Sequence, residues 1–68
     1  MKLEEILNME SPQEAHKAIM LNRDLNLLEK LEMILAYCKR HGIEMEEMFY
    51  YPNGEQVVTR DMILYPEE

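Results

Sequence analysis

Cys38 and His41 are the residues best suited to chemistry in this chain. They stand three apart, a spacing that sets two side chains on one face of a helix, and His16 is the second of the two histidines. Zinc accepts thiolate and imidazole, but a closed structural site needs four ligands. One cysteine and two histidines do not supply them. A site built on Cys38, His41 and His16 would have to recruit a carboxylate or a second chain. The simpler reading makes Cys38 a core thiol and His41 a positive partner for the carbonyl end of its helix. No metal and no cofactor are expected.

Nucleophilic catalysis fares no better. Lys39 and Arg40 follow Cys38 and could lower its pKa, but Cys38 falls within an apolar stripe, which predicts burial and inertness. Ser11 is explained as a helix cap. The 14 acids include no recognisable catalytic pair. A chain of 68 residues has little material to enclose a pocket as well as a core, so an enzyme is not expected.

The charge balance narrows the partners. A formal net charge of −7 repels phosphate backbones and anionic membrane surfaces. The bases are scattered, with Lys39-Arg40 the one adjacent pair. Yet 47% of the residues are apolar, so this is no disordered acidic tail. Seven are methionine, a residue of irregular cores and adaptable contact surfaces. The acids, from Glu4 and Glu5 through Glu44, Glu46 and Glu47 to Glu67 and Glu68, leave a nucleic-acid-mimicking decoy as an alternative. A lone thiol, an acidic start without a signal-peptide run and no stretch near the ~20 apolar residues of a membrane span point to the cytoplasm.

The elements that would position these residues read as a single domain over 1–68, helical over 1–42 and β over 43–66. Leu3, Ile6 and Leu7 suggest a short first helix. Ser11-Pro12-Gln13-Glu14 is a capping box with proline at the first helical position, so a helix should run from Pro12 to about Leu21. The stripe Ala15, Ala18, Ile19 then lies roughly 170° from the stripe Leu27, Leu28, Leu31, Ile34, Leu35, Cys38 on one continuous helix. A turn at Asn22 to Asp24 resolves the conflict and makes a helical hairpin, with Asn26 and Glu29 able to cap the second arm. Lys39, Arg40 and His41 before Gly42 mark its end, with Ile43 folding back in a Schellman motif. Beyond, Met48 to Tyr51 and Gln56 to Thr59 flank Asn53-Gly54, a strong two-residue hairpin signal that would pair Tyr51 with Gln56 and Tyr50 with Val57. A third strand is expected at Met62 to Tyr65. The expected fold class is α+β, with helices packed on a small antiparallel hairpin or meander.

The stretch Met20-Leu21-Asn22-Arg23-Asp24-Leu25, with Leu28 and Glu32, resembles part of a small bacterial inhibitor of sporulation histidine kinases, itself a helical hairpin. The likeness stops short of Gly42. It implies an inhibitor of a larger protein. The exclusions above lead the same way, to a small acidic regulatory protein of a bacterium or phage. The alternatives are the decoy and a structural homo-oligomer. Met33 and Tyr37, four apart and off the expected core arc, form the expected partner-binding pair, bordered by Lys30 and His41. The partner is another protein, or a second copy in a homodimer.

Overall fold

A computed structural model describes residues 2–64. It contains five helices among those residues: α1 (Leu3–Leu7), α2 (Pro12–Met20), α3 (Leu27–His41), α4 (Met45–Phe49) and α5 (Arg60–Leu64). α2 touches α1, α3 and α4, and α3 touches α1 and α4. None of these helices is long and apolar enough to cross a membrane.

Local chemistry sets the helix ends. Ser11 Oγ accepts from the Glu14 amide at 3.3 Å and Pro12 opens α2. Asn26 and Glu29 form the full reciprocal box on α3, at 2.8 and 2.9 Å. Gly42 takes φ 65°, and the Ile43 amide reaches back to Cys38 O at 3.1 Å, the Schellman closure. Between α2 and α3 the chain leaves the helix, and the Asp24 amide donates to Asn22 Oδ1 at 2.8 Å.

The expected α+β class is overturned. Among the described residues there is no sheet, no β-hairpin or meander, and one isolated antiparallel bridge, Tyr50 to Gln56. Met48 and Phe49, expected in a strand, close α4 instead. Met45, Met48 and Phe49 fall at helical spacing, and Glu46 and Glu47 suit the positive end of the dipole. Gln13 supports α4 from outside, its Nε2 donating to Glu47 O at 2.8 Å and Tyr50 O at 3.2 Å. The expected third strand is α5 as far as Leu64, and Tyr65 lies outside the described residues, as do Pro66, Glu67 and Glu68. Thr59 starts α5, its Oγ1 accepting from the Met62 amide at 3.3 Å.

The turn before that helix also differs. Gly54 N donates to Tyr51 O, and Tyr51 N to Glu55 O, both at 2.8 Å. Pro52 and Asn53 are the corners, and Gly54 alone of this loop takes positive φ, at 89°. Proline presets the first corner of such a turn. The result is a three-residue loop that pairs Tyr50 with Gln56, one residue away from the expected register.

Ile6, Ala15, Ile19, Ile34, Tyr37, Cys38 and Met48 form the core, with Met33, Ile43 and Phe49 packed against it. Val57 is also buried, and its amide donates to Phe49 O at 2.9 Å.

Candidate protein-contact surface

α3 turns an unexpected face inward. Met33, Ile34, Tyr37 and Cys38 recur at i, i+1, i+4 and i+5, a helical stripe, and they meet the core. Leu27, Leu28, Leu31 and Leu35, four of the six residues expected inside, are 77%, 66%, 44% and 50% exposed. They form one continuous strip along the outer side of α3, bordered by the exposed Glu32, Ala36 and Lys39.

The reversal has a cause in the ends of the short helices. In α1 the Glu4 and Ile6 carbonyls accept from the Asn8 and Met9 amides that follow the helix, and the last carbonyls of so short a helix look beyond it for donors. Side chains of α3 donate to one carbonyl of α1, to one in the loop after it and to the last carbonyl of α2. His41 Nε2 donates to Leu7 O at 2.8 Å. The Tyr37 hydroxyl donates to Met9 O. Lys30 Nζ donates to Met20 O at 2.7 Å, closing the carbonyl end of α2. Arg40 Nη1 reaches Asn8 Oδ1 at 3.0 Å and Glu4 Oε1 at 3.3 Å. Leucine has no donor to offer, so the leucine face is the one left outside.

The four residues expected to bind a partner are therefore engaged within the chain. Tyr37 is fully buried, with the His41 ring stacked on it at 4.0 Å between centroids. Met33 is half-buried against the core. Lys30 is half-buried and His41 exposed, each holding a backbone carbonyl. Tyr37 is closed over by the His41 ring and by Met9 of the loop after α1, and among the described residues no β-hairpin folds across it.

The candidate ligating and nucleophilic groups lie apart. Cys38 is buried, its Sγ 3.4 Å from Met48 Sδ. Burial pushes its thiol pKa up, and Glu44 and Glu47 push it further the same way. The neighbouring Lys39 and Arg40 do not reverse that. His16 is buried beside Phe49, with ring centroids 4.8 Å apart, and desolvation lowers its pKa. Its Nδ1 has no hydrogen-bond partner among the described residues. A cleft of about 210 Å³ opens beside it, lined by His16, Phe49, Tyr50, Gln56 and Val58. Among the described residues, no three His, Cys, Asp or Glu side chains gather as a metal-ligand group.

The four exposed leucines lie together on one side of α3. Scattered exposed leucines carry no message, but four contiguous ones on a helix already fastened from its other side form a patch of the kind that marks contact sites. A sign was present in the sequence, since α3 carries apolar residues on two faces. A helix apolar on both sides is ordinarily covered on both. The chain matches no protein-family model, no curated protein and no solved structure at a significant level.

Proposed function

We propose that this protein is a non-enzymatic, protein-binding regulator of the cytoplasm, acting as a modulator or inhibitor of a larger protein through the outer face of α3. The observation that carries this reading is the strip Leu27, Leu28, Leu31 and Leu35, held open to solvent on a helix capped at both ends. Helix faces of this kind dock into apolar grooves or against other helices, read out at i, i+3, i+4 and i+7. Leu28, Leu31 and Leu35 have that spacing, with Leu31 and Leu35 in consecutive turns. The acidic remainder of the molecule favours approach to basic targets and discourages acidic ones.

The test is a paired capture from the cell of origin. Wild type and a Leu28→Lys/Leu35→Lys variant are immobilised side by side, after circular dichroism has shown both to be folded. A protein held by wild type and lost by the variant supports the reading. Equal retention by both would place the contact elsewhere on the molecule and sink it.

A further inference from the structure

We infer that the cleft beside His16 is a binding site for a small uncharged phenol, a flat ring carrying one hydroxyl. The inference goes beyond the contact face of α3 and stands without it.

The walls of the cleft come from three parts of the chain. His16 lies on α2, Phe49 closes α4, and Tyr50, Gln56 and Val58 follow α4. Local bonds hold these walls in place. Tyr51 N donates to Glu55 O and Val57 N to Phe49 O, so Tyr50 and Gln56 are the non-hydrogen-bonded pair between them. Side chains of such a pair stand close together on one side of the backbone. Gln13, three residues before His16 on α2, ties the Glu47 and Tyr50 carbonyls to that helix. The walls are set before a ligand arrives, which spares part of the ordering cost of binding.

The walls specify the ligand. Among the described residues the lining holds no Asp, Glu, Lys or Arg, and burial keeps His16 uncharged at neutral pH. An ion entering there would lose water and gain no counter-charge, so the ligand is neutral. The His16 and Phe49 rings stand 4.8 Å apart, tilted by 46°, and aromatic walls favour a flat partner, offset or edge-on. A volume of about 210 Å³ exceeds the roughly 150 Å³ that accepts one benzene. It falls short of the ~300 Å³ at which sites for drug-sized molecules begin. The ligand therefore has a single ring.

The hydroxyl is required by His16. The residue is 7% exposed, and its Nδ1 has no hydrogen-bond partner among the described residues. A buried polar atom left so is costly, and a ligand that bonds to it recovers that cost. A hydroxyl both donates and accepts, so it serves either tautomer of the imidazole. The His16 ring lines the cleft, and a half-turn of the ring keeps its outline while moving Nδ1 between its edges.

Titration of the full chain with phenol, followed by proton–nitrogen NMR correlation spectra, tests the site. The expected result is a dissociation constant of about 1 mM. Shifts should centre on His16, Phe49, Tyr50, Gln56 and Val58, with the His16 ring nitrogens among them. Benzene keeps the ring without the hydroxyl and should bind roughly tenfold more weakly. Cyclohexanol keeps the hydroxyl without the flat ring and should also bind more weakly. Val58→Phe, which fills the cleft, should weaken phenol at least ~tenfold with circular dichroism unchanged. His16→Phe keeps an aromatic ring and should bring phenol down to the affinity of benzene. Should either variant fail to fold, the three ligands on the wild-type chain still decide the matter. N-acetyltyrosinamide separates two sources of the same chemistry. Binding as tight as that of phenol points to a tyrosine side chain of a partner, and weaker binding to a free small molecule. Absence of shifts up to about 20 mM phenol overturns the inference. Benzene binding as tightly as phenol overturns it too, because His16 then contributes nothing. Shifts confined to Leu28, Leu31 and Leu35 overturn it as well, and leave the contact face of α3 standing.

Discussion

Tyr37→Phe and Leu35→Gln form a matched test of which side of α3 is the inside. Tyr37 has no exposed surface, and its hydroxyl donates to Met9 O. Removing the hydroxyl leaves that carbonyl without its partner, and the ring still stacks on His41. An unsatisfied, partly buried acceptor costs about 1–2 kcal/mol. In a domain of this size each kcal/mol moves the melting temperature by roughly 4–8 °C, so the expected fall is of the order of 5–15 °C. Leu35 is 50% exposed. Glutamine there removes apolar surface that water already touches, an effect within about 0.5 kcal/mol. Both variants should be compared with wild type by thermal and urea unfolding at one and the same low protein concentration. On a face-swapped α3 the order reverses. If Leu35→Gln lowers the melting temperature as much as Tyr37→Phe, the inward face has been wrongly assigned and the leucine surface goes with it.

His16 should make the fold acid-sensitive. Burial holds its folded pKa below the ordinary 6.5, so the unfolded chain takes up the proton first. Stability is then complete above about pH 6.5 and falls as the pH drops through that value. His16→Leu should flatten this part of the melting-temperature profile, and parallel profiles for the two proteins would count against the buried neutral imidazole. Gly54→Val should cost at least ~1–2 kcal/mol in urea unfolding, because Gly54 sits at φ 89° where a β-branched residue is strained; a wild-type midpoint would show that the turn is not as described. Asn26→Ala removes one half of the α3 capping box and should cost about 0.5–2 kcal/mol, with no loss meaning that the cap is idle in solution. A chelator should leave far-ultraviolet circular dichroism and the melting temperature unchanged, and a chelator-induced loss of helix would revive Cys38 and His41 as metal ligands.

The helical part was legible where its signals are local. Ser11-Pro12, Asn26 with Glu29, and Gly42 act through hydrogen bonds within a few residues, so residue type and spacing suffice. The break between α2 and α3 was located for a reason that only half holds. The phase conflict assumes that both stripes face one core, whereas α3 keeps all four of its leucines outside. Periodicity reports that a face is apolar but not what covers it. The inner face was decided by long-range hydrogen bonds from Tyr37 and His41 to carbonyls near α1, across 28 and 34 positions of sequence. The last third misled for a different reason. Phe49-Tyr50-Tyr51 and Val57-Val58 carry strong β propensity, yet a hairpin needs a partner surface to pack on. Met48 instead enters the core beside Cys38, and Gln13 holds the carbonyl end of α4. Thr59, with Asp61 in the first turn of α5, was a readable helix start overshadowed by the apparent strand.

The sulfur pair in the core gives the molecule its own timer. Cys38 is the sole cysteine, and its Sγ lies against Met48 Sδ between α3 and α4. With Cys38 only 8% exposed, parting of that seam gives a thiol reagent its main access. The rate at which the native protein accumulates label therefore counts openings of the seam, in solution and without an introduced probe. Where reclosing is faster than labelling, that rate reads the free energy of opening; where labelling is faster, it reads the opening rate itself. Raising reagent concentration moves the measurement from one regime to the other. The thiol's high pKa and burial make it a poor reactant in the closed state, and this silence makes each labelling event interpretable.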